Sequence, residues 1–393
     1  MVVPVAGRSV AAVLGAALVI IVWASVVGTV IVPRPVSTWL TRLVDKTVGR
    51  SFHMAHRFAD GDYKRWDRWL SAVAPAILLG QLAVWLVMAF IGFALLLWPF
   101  VHEGFTYALT AAGSSMFTLG FDVPESAVPA VIVFFGAVTG LAILTLQIAY
   151  LPALYGAFNR RETEVALLNA RAGVPCWGPE LLSRTHYALG SGVSTIDTLP
   201  DLYAVWERWA ADVAESHTTY LPLVRFRSPR PFSSWVTALL AVLDSAAMIL
   251  ALSPEAAPTV PARLCLRSGF LCLNQVARAM GLDVPEQPEV DGVTTLTQQE
   301  FLEAVKQMRE VDFPIERDPV EAWPDFAGWR VNYEQAAYAI AMAIDAVPAL
   351  WSGPRKHQVP PIPPFRPPQG RPPTKPMNKA LPDRPVRRRP GMG

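Results

Sequence analysis

GFTYALTAAGSSMFTLGFD, residues 104–122, stands between two long apolar runs, and its reading decides how the chain is built. The first ten residues are amphipathic and too short to cross a bilayer. The last nine are mostly Ser, Thr, Gly and aromatic residues, and they end on an acid. Hydrocarbon tolerates irregular backbone only where it is buried in protein or lines an aqueous cavity. The stretch is therefore either an ordinary exposed loop or the lining of a pore.

Outward from it, the apolar content is unevenly spread. The chain has 393 residues, 52% of them hydrophobic and 17% charged. Residues 9–32 form an uncharged run bracketed by Arg8 and Arg34, and 71–100 and 127–154 are two more. Each exceeds the roughly 20 residues a helix needs to span about 30 Å of hydrocarbon. Residues 234–253 tempt a fourth assignment, but Asp244 sits at their centre. A carboxylate at mid-bilayer costs at least about 2.5 kcal/mol. That segment reads as a buried helix of a soluble domain, with Asp244 paired or facing a cavity.

Flanking charge orients the spans. Residues 33–70 carry eight Lys/Arg, whereas 101–126 carry none, only Glu103, Asp122 and Glu125. The third span is followed by Arg160 and Arg161. The positive-inside rule then places 33–70 and everything after 154 in the cytoplasm, and the N-terminus and 101–126 outside, in a multi-pass protein of the cell membrane. The first span is too long for a signal-peptide core and reads as a retained anchor. Cys176, Cys265 and Cys272 fall on the reducing side and read as free, buried thiols.

The sequence divides into an N-terminal span (1–32), a basic and aromatic segment (33–70), a two-span module (71–153) enclosing the loop, a helical domain (154–352) and a tail (353–393). In the second of these, YKRWDRW suits a helix at the headgroup level, with Trp66 and Trp69 in the interface. The domain shows apolar positions recurring at three and four, and Thr297 with Glu300 has the spacing of a capping box. From Pro354 onward, thirteen prolines and ten Lys/Arg against one acid predict a disordered, extended basic tail. Residues 154–352 hold 15 basic and 24 acidic side chains, so the tail has an acidic domain or anionic lipid to attract it. Its one aromatic, Phe365, serves base stacking poorly, and no nucleic-acid partner is favoured.

Catalytic patterns are few. His53 and His56 lack a third ligand, Cys265 and Cys272 make only two thiols, and the GSG at 190–192 lacks the third glycine of a dinucleotide fingerprint. The chain does not read as an enzyme, and no cofactor is expected. The loop reads better as ion-handling. A half-helix entering the membrane points its negative C-terminal end at the centre, which favours a cation. Hydroxyl and carbonyl oxygens beyond it can replace a cation's water shell, provided several chains converge on one axis.

Span, re-entrant helix, SSMFTLGFD and span together resemble the pore module of the potassium-channel family, of the two-span, one-pore-loop type, and actinobacterial membrane proteins classed as potassium-channel-like. The family signature is TxxTVGYGD. Ser115 stands at its first Thr, Thr118 at the second, Leu119 at Val, Gly120 at the first Gly and Phe121 at Tyr. The second glycine is missing: either it is deleted and Asp122 is the family's Asp, or Asp122 replaces it. The resemblance covers about residues 71–155. It implies an all-α membrane fold and a homotetramer. Thr118, Leu119, Gly120 and Phe121 would coordinate a monovalent cation, with Ser115 as filter support, Asp122 at the outer mouth, and Gly136 and Gly140 as the bend of the inner helix. Relaxed discrimination between potassium and sodium would follow from the missing glycine. The alternative is a non-conducting membrane scaffold whose helical domain and tail bind a cytoplasmic partner.

Overall fold

The computed structural model describes residues 5–32, 38–56, 63–102, 104–121, 124, 126–186, 195–285, 294–356 and 359–365. Among these, the regular structure is helical, with two isolated β-bridges and no sheet. Four helical segments are long and apolar enough to cross a membrane, the mark of a multi-pass membrane protein.

The N-terminal part comprises α1 (Val5–Val26), α2 (Trp39–His56), α3 (Tyr63–Leu70), α4 (Val73–Leu97), α5 (Phe105–Met116) and α6 (Ala127–Ala172). Helix α1 is an integral member of this bundle. The indole N–H of Trp23 donates to Thr139 Oγ1 on α6 (3.2 Å), and that of Trp85 on α4 donates to Ser25 Oγ (3.0 Å). At Gly15 a β-carbon would lie 2.5 Å from the Gly92 carbonyl oxygen, so the two helices cross with almost no side-chain spacer.

Helix α6 does not end where the apolar run does. It continues through Pro152 for 46 residues, about 69 Å at 1.5 Å per residue. One buried stripe, running from Gly136 through Ile143, Tyr150 and Ala157 to Val165, faces first the bundle and then the helical domain. A single rigid element thus joins the two. Arg161 lies on this stripe and is fully buried, so it is not a lipid-facing flank. Its guanidinium binds Glu162, His217 Nε2 (2.9 Å) and the carbonyls of Leu223 and Phe226 (2.8 and 2.7 Å).

The domain follows with α7 (Gly178–His186), α8 (Leu199–Thr219), α9 (Pro222–Arg225), α10 (Trp235–Leu252), α11 (Thr259–Ala279), α12 (Gln298–Arg309), α13 (Pro319–Arg330) and α14 (Glu334–Ala343). Helix α10, the tempting fourth span, is its axis: α6, α7, α8, α11, α13 and α14 all pack on it. Asp244 is paired there, accepting from Arg330 Nη1 (2.5 Å) and the Tyr333 hydroxyl (2.9 Å). Burial disfavours the Arg330 charge, but Asp244, the Tyr338 and Tyr333 hydroxyls and Glu334 outweigh it, and the guanidinium stays protonated. The capping box at α12 is formed: Thr297 Oγ1 accepts from the Glu300 N–H (3.3 Å), and Glu300 Oε2 from the Thr297 N–H (2.8 Å). The three cysteines are free and buried, and burial pushes the Cys176 thiol up to about 12.

Two expectations need correction. Trp66 is not at a lipid interface; it is buried and its indole N–H donates to Asp345 Oδ2. Beside it, Asp67 accepts from Arg227 Nε (2.6 Å), whose Nη2 donates to the Tyr63 hydroxyl (2.7 Å). Helix α3 is therefore a clasp on the helical domain, and of its two tryptophans Trp69 is the exposed one. The tail does not leave the fold at residue 353. Arg355 donates to the carbonyls of Ala346 (2.6 Å) and Val347 (2.7 Å), Ile362 N–H to Pro348 O (2.7 Å), and Phe365 exchanges two backbone bonds with Val174. Proline-rich backbone has few donors of its own, yet it can lie along a groove that supplies acceptors. Residues 366–393 lie outside the described part.

Candidate pore loop

Between the apolar halves of α4 and α6, helix α5 is twelve residues long and ends at Met116, close to the expected half-helix. Beyond it the chain turns on its own helix end. The N–H groups of five consecutive residues all point inward. Phe117 donates to Gly113 O (3.1 Å), Thr118 to Ser115 O (3.0 Å), Leu119 and Gly120 to Ser114 O (2.8 and 3.4 Å), and Phe121 to Ser114 Oγ (3.1 Å).

A planar trans peptide sets each carbonyl antiparallel to the N–H that follows it. The oxygens of Phe117, Thr118, Leu119 and Gly120 therefore point away from α5, in a row. Among the described residues no group donates to the last three, and the first receives only the Thr118 hydroxyl (2.8 Å). Alternation of backbone hand produces the row: φ is +54° at Thr118 and +70° at Gly120. For a β-branched residue such as Thr118 that conformation is an outlier, of the kind that concentrates at functional sites. Nothing lies within 4 Å of where a Gly120 β-carbon would be, so backbone conformation alone calls for glycine there.

The loop is seated by α6. Ser115 Oγ donates to the Val133 carbonyl, and a β-carbon on Gly136 would approach that hydroxyl to 3.0 Å. At Gly140 it would lie 2.2 Å from the Met116 carbonyl oxygen, so this position admits no side chain. The two glycines named for a bend are the points where the loop's supporting helix touches α6. Asp122, Glu103 and Glu125 lie outside the described residues.

Sequence reasoning missed Ser114. It is buried, and its carbonyl and hydroxyl oxygens hold three of the five inward N–H groups. The only signal was a second hydroxyl beside Ser115. The stretch itself is open: Leu119 is 63% and Phe121 67% exposed, and Phe134 and Phe135 on α6 are 71% and 65% exposed. A single chain leaves uncovered what would be expensive to leave in water.

The other candidates stay apart from this site. The side chains of His53 and His56 and the GSG at 190–192 lie outside the described residues, and Cys265 and Cys272 are sealed in the core of the helical domain. Among the described residues no three His, Cys, Asp or Glu side chains come together. The cation ligands on offer at the loop are backbone oxygens. No family model, no curated protein and no solved structure matches the chain.

Proposed function

We propose that the chain is one subunit of a homotetrameric cation channel whose filter is built from Thr118, Leu119, Gly120 and Phe121. The observation that carries this reading is the row of outward carbonyls from Phe117 to Gly120, set by the inward N–H groups of the residues that follow each of them, Thr118 to Phe121. One row cannot surround an ion. Four rows about an axis would replace its hydration shell with oxygens. The exposed Leu119, Phe121, Phe134 and Phe135 are the surface that such an assembly, together with lipid, would cover.

In this reading the α5 C-terminus adds partial negative charge below the filter. The acids of the connecting segments, Glu103, Asp122 and Glu125, would concentrate cations at the mouth. In the same reading three segments span the plasma membrane, with α10 inside the domain, the N-terminus outside and the helical domain cytoplasmic; the eight basic residues of 33–70 support that orientation. Gating would act through α6. Because Gly136 and Gly140 seat α5 directly, a bend there displaces the filter's support and not only the cytoplasmic mouth. The absent second glycine leaves the outer filter looser, with weaker discrimination between potassium and sodium than the family it resembles.

Purified protein in planar bilayers, under bi-ionic conditions, tests the proposal. A cation-selective current is expected, abolished by Gly120→Ala, and lowered by Asp122→Asn most strongly at low ionic strength. A verified tetramer carrying the parental current with Gly120→Ala overturns the assignment. Fourfold stoichiometry also separates the channel from a scaffold, which can be of any size.

A further inference from the structure

Helix α3 is held to the helical domain at two places. One is Phe232, in the connection between α9 and α10, whose ring stacks on Tyr63 (centroids 5.9 Å apart, 27° between planes). The other is the segment after α14, where Asp345 accepts from the Trp66 indole. There Arg227, paired with Asp67, also donates to the carbonyls of Ile344 (3.1 Å) and Asp345 (3.0 Å). Both contact residues hold left-handed backbone, with φ +63° at Phe232 and +52° at Asp345. For a bulky side chain such as Phe232 that conformation is an outlier, and it persists only where the surroundings over-determine it.

Part of those surroundings comes from the far end of the chain. The Phe365 ring packs edge-on against Phe232 (5.9 Å, 89°). Three residues earlier, the Ile362 N–H donates to Pro348 O (2.7 Å) and pins the segment that carries Asp345. Phe365 exchanges backbone bonds with Val174 (2.9 and 3.2 Å), and a β-carbon on Gly173 would lie 2.7 Å from Pro364 Cβ. Residues 359–365 thus reach both points that hold α3. Yet none of the seven is buried, and Phe365 is 48% exposed. A segment with few buried contacts and exposed backbone bonds opens at low cost, well before the domain beneath it. Its prolines favour the extended form when undocked, so docking again loses little freedom.

We propose that residues 359–365 are a releasable latch that locks α3 onto the helical domain by holding Phe232 and Asp345 in place. Helix α3 leads into α4 after Ser71 and Ala72, so the latch acts on the start of the two-span module. Residues 366–393 continue from Phe365 with eight Lys/Arg and eight prolines against one acid. A partner whose acidic surface holds that segment pulls directly on the latch. The inference does not depend on conduction, and its test measures no current.

The test is hydrogen exchange on the full chain in detergent, read by mass spectrometry at α3, with α12 as the internal control. Ending the chain after Gln358 should speed exchange in α3 about tenfold, the scale of one aromatic pair and a hydrogen bond. Exchange in α12 should stay parental, which shows that the domain remains folded. Ile362→Pro removes only the donor to Pro348 and suits an extended backbone, so it should speed α3 several-fold. Phe232→Gly removes both ring contacts while glycine accepts the left-handed conformation, and it too should loosen α3. Combined with the truncation, its effect should fall short of the product of the two, because they break one chain of contacts. Parental α3 exchange in the truncated chain, equal acceleration of α3 and α12, or effects that simply multiply would each overturn the proposal.

Discussion

Helices α10 and α4 are both apolar enough to cross a membrane, yet they have opposite fates. The apolar window of α10 is 94% buried within the chain; that of the segment containing α4 is 33% buried, and that of α6 28%. Composition states that a helix must be covered. It does not state by what. Around α10 six helices of the same chain supply the cover, and they also bring Arg330 and Tyr333 to the one acid it carries. Around α4 and α6 the chain runs out of partners, and the turn after α5, residues 117–121, lies in that unfinished surface. A self-sufficient domain and an incomplete bundle thus share one 46-residue helix.

The most forceful way to break this contrast is to remove the domain's internal partner. Arg330→Met leaves Asp244 buried without its cation, and the loss expected for stripping one side of a buried pair is about 3–5 kcal/mol. Urea unfolding followed by far-ultraviolet circular dichroism measures it. Adding Asp244→Leu should recover part of the loss, because an apolar α10 then suits its surroundings. A single-variant loss under about 1 kcal/mol would mean that the pair does not hold the domain together.

In the bundle the matching test is Gly140→Leu. A side chain where the Met116 carbonyl already sits must push α5 from α6, at an overpacking cost of about 1–3 kcal/mol, and detergent-stable assembly should drop. Val138→Leu, on the exposed face of the same helix, should assemble as the parent does. Equal assembly of both variants would show that α5 is not seated where the glycines place it.

The smallest effect sharpens the contrast through pH. His217 is buried in the domain beside Arg161; burial first, and then that charge, hold its pKa well below the ordinary imidazole value. Folded protein therefore keeps His217 neutral while unfolded protein protonates it below about pH 6.5. The stability from this group is complete above that pH and is lost as pH falls from there towards the folded pKa. The slope is at most about 1.4 kcal/mol per pH unit. Unfolding midpoints between pH 7 and 5 should show the decline in the parent and a shallower one in His217→Asn. Parallel curves would assign the decline to other groups.

Much of this architecture was legible because it is written in local patterns. Apolar runs of bilayer length, the short amphipathic helix before SSMFTLGFD, the capping box of Thr297 and Glu300, and the need for a partner at Asp244 all depend on residues close in sequence or on one residue's chemistry. Hydrophobic period and the expense of a lone buried charge suffice to read them.

Tertiary structure alone decided who covers whom. Asp244 meets Arg330 across 86 residues and Trp66 meets Asp345 across 279, so an aromatic and basic segment that suits a lipid surface became a clasp on the domain. It also made Ser114 the acceptor for the loop's inward N–H groups and carried the packed chain on to Phe365. The physical reason is common to all of these. A hydrogen-bonding group's fate depends on what the fold brings within about 3 Å of it, and neighbours in space are chosen by the whole chain.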